Sequence, residues 1–173
     1  MIAAPALVPL DTTVQVRDTC LCLHVQRAAR ALAGRFDAAL RPAGLTNTQF
    51  SLLNGLNSPQ PKTPGAIAAL LGADRTTVTA ALKPVVRQGL AEISPDPSDR
   101  RVRRIGLTAK GHARLAAALP LWTQAHAELE MELDGARIAE MRRDLNALAA
   151  SGRRTPVGRS GHASALGARV SKF

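Results

Sequence analysis

Along residues 19–40 the apolar side chains Leu21, Val25, Ala28, Leu32, Phe36 and Leu40 recur at steps of three and four, with Arg27, Arg30, Arg35 and Asp37 between them. That spacing lays one apolar stripe along an amphipathic helix of about five turns. Pro42 and Gly44 end it. Thr46-Asn47-Thr48-Gln49 then fits a capping box, the Thr46 hydroxyl accepting from the amide three residues on while Gln49 reaches back. A short helix follows from Asn47 through Phe50 and Leu53 to Leu56, and residues 57–62, with two prolines, read as a loop. Thr63-Pro64 opens a third helix with Ile67, Leu70 and Leu71 inward and Gly72 just past its end. Asp74 caps a fourth, whose inward set is Val78, Leu82 and Val85 or Val86, with Gly89 as its stop. Two short helices across so tight a turn make a helix-turn-helix.

After Leu90 the period changes. Leu90–Ser94 and Val102–Leu107 alternate, and the residues between them, Pro95 to Arg101, form a turn rich in proline and charge, so the segment reads as a β-hairpin with a basic tip. Thr108 caps a long helix carrying Leu115, Leu119, Trp122, Leu129 and Leu133, with Pro120 expected to kink it. Asp134-Gly135 breaks the pattern, and a last helix over 136–150 presents Ile138, Met141, Leu145 and Leu148. Residues 1–10 read as a loose tail and 151–173, with few apolar and no acidic side chains, as disordered. The predicted fold class is mainly α (α+β): a winged helix-turn-helix with a helical dimerisation region built from the N- and C-terminal helices. The first and last helices carry apolar stripes that a small DNA-binding core cannot cover, which calls for a two-fold partner.

Composition narrows the function. The formal net charge is +10, and it is localised. Residues 75–110 carry eight basic and three acidic side chains, and 151–173 carry five and none. A basic face of this kind attracts polyanions. Aromatics are only 2% of the chain, too few for the stacking platforms of single-strand binders, so duplex DNA is the expected partner. No stretch approaches the roughly 20 apolar residues of a membrane span, and a cytoplasmic location is expected. There is no Gly-rich phosphate loop, nucleophile elbow or His-Glu-x-x-His, so the chain does not read as an enzyme. No cofactor or metal is expected, because His126 and Glu130, four apart, are too few ligands.

The fourth helix is the element sized for a major groove. With Val78, Leu82 and Val85 inward, Arg75, Thr76, Thr79 and Lys83 fall on its outer face and Thr77 and Arg87 on its flanks. Hydroxyls and cations there suit phosphates and base edges. At the hairpin tip Asp99 stands beside Arg100 and Arg101. A carboxylate two residues away can fix a guanidinium by a bidentate pair, so that it enters the minor groove already organised, with Arg103 and Arg104 flanking phosphates.

The strings Leu70-Leu71-Gly72-Ala73-Asp74-Arg75-Thr76-Thr77-Val78-Thr79, Gly89-Leu90, Asp96-Pro97-Ser98-Asp99-Arg100-Arg101 and Leu107-Thr108-Ala109-Lys110-Gly111 resemble the MarR family of bacterial transcriptional regulators. The resemblance runs in element order from Leu21 to Leu148, and the string from Asp96 to Gly111 is its most specific part. It implies a homodimeric regulator, usually a repressor, on a pseudo-palindromic operator. Thr76, Thr77, Thr79 and Lys83 would then face the major groove, and Asp99 and Arg101 would be the wing's orienting acid and minor-groove arginine. It divides the chain into a flexible segment, 1–18, a MarR-like domain, 19–150, and a basic tail, 151–173. Within the domain, 46–107 is the winged helix-turn-helix, and 19–42 and 108–150 are dimerisation helices. Two departures stand out: Ala80 occupies a position that is basic in many relatives, and Pro84 lies inside the recognition helix.

The resemblance also implies a signal, either a small aromatic or lipophilic effector in a cleft or a cysteine that is oxidised. Which residues would hold the effector is not written in the sequence. Cys20 and Cys22 are the redox candidates, at the start of the first helix where the dipole favours a thiolate. Two apart on one helix they would point in nearly opposite directions, and the tyrosines of the family's peroxide sensors have no counterpart, since the chain has none. A non-sequence-specific DNA-associated protein, dominated by the basic tail, is the competing class.

Overall fold

The computed structural model describes residues 7–152; the expected disorder of the basic tail therefore lies, apart from Ser151 and Gly152, outside the described residues. The elements are α1 (Leu10–Thr19), α2 (Leu21–Leu40), a 3-10 turn (Arg41–Ala43), α3 (Asn47–Leu56), α4 (Pro64–Leu71), α5 (Arg75–Arg87), β1 (Ala91–Pro95), β2 (Arg103–Leu107), α6 (Ala109–Leu133) and α7 (Gly135–Gly152). The chain divides into two compact units, the first ending at Glu132 and the second beginning at Leu133.

In the first unit the core is aliphatic. Leu40, Leu52, Leu53, Leu56, Ile67, Val78, Val85, Leu90 and Ile105 are almost wholly buried, drawing α2, α3, α4, α5 and the hairpin around one apolar centre. The described Phe and Trp rings gather at one place: Trp122 of α6 stacks on Phe50 of α3 with ring centroids 6.0 Å apart and lies 6.5 Å from Phe36 of α2. Such pairs add roughly 0.5–1.5 kcal/mol beyond their area burial. Arg35 of α2 also forms a forked pair with Glu132 at the end of α6, at 2.6 and 2.8 Å. The second unit, as far as it is described, is essentially the helix α7, with Ile138 buried and Met141, Leu145 and Leu148 exposed.

The local signals act as the sequence predicts at several helix starts. Both halves of the capping box at Thr46 and Gln49 form, and Thr63 accepts from Ala66 ahead of Pro64. Gly72 takes the left-handed conformation, φ 63°, that the tight turn into α5 requires.

Two expectations need correction. The segment 1–18 is not loose throughout, because Leu10–Thr19 is a helix; none of its residues is buried, so no apolar stripe marks it in the sequence. Leu70 is 58% exposed rather than inward. The buried face of α4 is centred on Ile67, Ala68 and Leu71, and Leu70 lies roughly 100° round the helix from it. Along the α2 stripe only Phe36 and Leu40 are buried; Leu21 and Leu32 are exposed, as expected of a stripe that the DNA-binding core does not cover. Helices α5 and α6 run on through Pro84 and Pro120. The residues four before them, Ala80 and Ala116, are exposed, so solvent can satisfy the carbonyls that lose their N–H partners.

Candidate nucleic-acid interface

Helix α5 is positioned by both ends. Asp74 accepts from the Thr77 amide and the Thr77 hydroxyl, each at 2.8 Å. These bonds hold its carboxyl below the usual carboxylate range. Beneath the helix Val78, Leu82 and Val85 are buried; above it Arg75, Thr76, Thr77, Thr79 and Lys83 are exposed. The hydroxyls differ in what they are free to do. That of Thr77 serves the cap, and that of Thr79 donates to the Arg75 carbonyl at 2.7 Å. Thr76 has no side-chain hydrogen bond to another described residue. Arg75 leans back over α4, its guanidinium Nη2 lying 3.3 Å from where a Cβ on Gly65 would stand.

The C-terminal end of α5 is clasped to the start of α6. The Thr108 hydroxyl donates to the Gly89 carbonyl at 2.7 Å and accepts from the Gly111 amide at 3.0 Å, while Lys110 donates to the Gln88 carbonyl at 2.8 Å. Gly111 is packed so tightly that a Cβ there would stand 1.9 Å from the Leu90 carbonyl oxygen. The Leu107–Gly111 string thus fixes α5 to its frame.

The wing is the antiparallel pair β1–β2, with Ala91 opposite Leu107 and Pro95 opposite Arg103. Its base has a further partner that periodicity does not reveal: Lys62 and Ile105 exchange backbone hydrogen bonds, both at 2.9 Å. At the tip Arg100, Arg101 and Arg103 are exposed. The Asp99–Arg101 pair forms, but not as the bidentate fork the sequence suggests. One Asp99 oxygen takes both the Arg101 Nε at 3.4 Å and the Arg101 amide at 3.0 Å. Arg104, expected at a phosphate, instead pairs with Asp96. Asp96 also accepts the Ser98 hydroxyl at 2.5 Å and the Ser98 amide at 2.8 Å. These hydrogen bonds, Ser98's first and then Arg104's, hold its carboxyl far below the usual range. Asp-Pro-Ser is the available signal for this turn, since Asp side chains hydrogen-bond the backbone two residues on.

Between α5 and the wing lies a cleft of about 480 Å³. Leu82, Val86, Ile93 and Ile105 give it an apolar floor, and Thr79, Lys83 and Arg103 stand among its walls. A second cleft, of about 470 Å³, involves Phe50, Asn54, Leu71 and Trp122. Cys20 and Cys22 are free thiols, and Cys20 is extended (ψ 99°) between α1 and α2. The two are therefore not on one helix, which removes the premise from which their opposed orientation follows. Among the described residues no cluster of three or more His, Cys, Asp or Glu could hold a metal, and no helix is long and apolar enough to cross a membrane.

This arrangement has close parallels. Residues 43–102 match a family profile described as MarR family. The transcriptional repressor MprA of Escherichia coli is 32% identical over 104 residues, 59% of this chain and 57% of MprA, so the match spans a little over half of that relative. The HTH-type transcriptional repressor NicR of Pseudomonas putida is 28% identical over 127 residues, 73% of this chain and 80% of NicR. Among solved structures, the M. tuberculosis transcriptional regulator MosR in complex with DNA superposes with a TM-score of 0.69 at 41% identity, over 78% of this chain and 96% of that one. With the profile falling on the helix-turn-helix and wing, and that likeness extending over nearly all of a solved regulator, the chain belongs to the MarR family of transcriptional regulators.

Proposed function

We propose that the protein is a DNA-binding transcriptional repressor that acts as a homodimer on a pseudo-palindromic operator and responds to a small aromatic or lipophilic effector. The observation that carries this reading is one surface of the first unit. It joins an exposed α5 face of Arg75, Thr76, Thr79 and Lys83 to a wing whose Arg101 side chain is 95% exposed. A helix presented in this way fits a major groove, and an arginine-tipped hairpin fits the adjoining minor groove. Thr77 contributes through the cap that starts the helix, and Asp99, Arg100 and Arg103 complete the wing's charged surface. The likeness to MosR, which is solved in complex with DNA, supports a DNA-binding role. The two clefts are of the size that holds small ligands, about 300–1,000 Å³. A DNA-reading regulator works in the cytoplasm, and no catalytic role is assigned to it.

The test is a gel shift with the promoter beside the protein's own gene against scrambled duplex. We expect selective retardation. Thr76→Ala and Arg101→Ala should each weaken the operator complex by about 1–3 kcal/mol, while removal of residues 151–173 costs only a uniform, salt-dependent part. Equal retardation of all duplexes, abolished by that truncation, would instead indicate a non-sequence-specific DNA-associated protein.

One observation favours a second signal. Because Cys20 lies in the extended break between α1 and α2, a bond between Cys20 and Cys22 would act on the junction of those helices. Release of the operator by peroxide, lost in a Cys20→Ser, Cys22→Ser double variant, is the expected result of that reading; release unchanged in the variant removes it.

A further inference from the structure

We infer that Asp96, rather than Asp99 alone, is the positioning residue that gives the wing its DNA-reading shape and so presents Arg101; this rests on the repressor reading above. The Arg101 side chain is 95% exposed and has no packing to order it. Its partner Asp99 is itself about half exposed and meets it through a single 3.4 Å side-chain contact. Asp96 is different in kind. Its side chain is only 6% exposed, and it gathers four donors: the Ser98 amide, the Ser98 hydroxyl and the Asp99 amide on one oxygen, and the Arg104 Nε on the other.

Those bonds run in series. Asp96 fixes the backbone of Asp99 through its amide at 3.3 Å. Asp99 then takes the Arg101 amide and Nε. The Asp96 amide also donates to Val102 and the Val102 amide to Asp99, closing the tip on itself. Arg104 carries the tie outward, donating to the Pro61 carbonyl at 3.4 Å, beside the Lys62–Ile105 bonds that join the wing to the segment before α4. A buried carboxylate with several N–H donors and a guanidinium holds one geometry, because releasing any donor leaves charge without compensation. The cost of ordering Arg101 is thereby met in the free protein rather than on the DNA.

The test is a double-mutant cycle on full-length protein, read by operator affinity and by hydrogen exchange of the Ser98 and Asp99 amides. Asp96→Ala should weaken operator binding about tenfold and speed exchange at both amides. In an Arg101→Ala background the same change should alter affinity less than about twofold, because the arginine it positions is gone. Asp96→Asn, which keeps an acceptor for Ser98 and Asp99, should recover part of the loss. If Asp96→Ala does not fold, Arg104→Gln opens the same network from its outer side and is judged by the same criteria. Losses that multiply fully in the double variant, or operator affinity unchanged in Asp96→Ala, overturn the inference. Wild-type protein that fails to discriminate the promoter from scrambled DNA overturns the repressor reading itself, which separates the two failures.

Discussion

Asp74 and Asp96 are both acids followed by a hydroxyl residue within three positions, yet the structure uses them differently. Asp74 starts a helix, and its bonds are those its sequence position announces. Asp96 is enclosed with Arg104, eight residues on and across the hairpin, a pairing that local spacing does not contain. Its folded carboxyl lies far below the ordinary value because Ser98, then Arg104, stabilise the anion. The sign follows from linkage: a depressed folded value contributes stability that is fully present above the unfolded value of about 3.9 and is lost only as pH falls through the lower folded one. The shift of the Asp96 side-chain carboxyl carbon should therefore stay unchanged from neutral pH through about pH 4 and move only below it; an inflection of that carbon near 4 would contradict the enclosed geometry. The threonines show the same limit of local reading. Their exposure was legible, but the sequence did not reveal that Thr77 and Thr79 spend hydroxyl protons within α5 while Thr76 does not.

At the scale of elements, α3, α4, α5 and the hairpin were legible nearly to their ends, because their boundaries are set by caps, prolines and glycines that act within four residues. The face each helix buries was less so. Leu70 has the hydrophobicity of a core residue, but a helix of eight residues can turn its face either way, and packing of Ile67, Ala68 and Leu71 decides it. The junction between α5 and α6 shows why Gly111 is a glycine. Gly111→Ala would drive a methyl into the Leu90 carbonyl, which stands 1.9 Å from the Cβ position. Overpacking against backbone should cost about 3 kcal/mol. Chemical denaturation of that variant against Gly135→Ala, where a Cβ meets nothing within 4 Å, checks this; equal stability of the two would refute the close approach.

For the whole molecule the telling feature is apolar surface left open. Leu21 and Leu32 on α2 and Leu119 on α6 are exposed in the first unit, and Met141, Leu145 and Leu148 on α7 in the second. Exposed apolar rows of this kind mark association surfaces, and the proposed homodimer covers them with a second copy. Leu145→Glu replaces a side chain that is 42% exposed in the single chain, so it should spare the fold. It should shift the protein from dimer to monomer in light scattering and cut affinity for a palindromic site far more than for a half-site. A wild-type protein that is monomeric at working concentration removes the dimer outright.

The sequence by itself determined the order of elements from α2 onward, the family resemblance and the exposed face of α5, because caps, turn residues and a 3.6-residue period are local and survive without neighbours. Only the tertiary structure decided that the acid collecting the wing's bonds is Asp96, that α1 is helical and that Cys20 stands outside both helices. It also decided that Lys62 pairs with Ile105 at the wing's base. Several of these depend on which segments meet across the fold, and α1 buries no residue that could mark it; a period in one segment carries no trace of either.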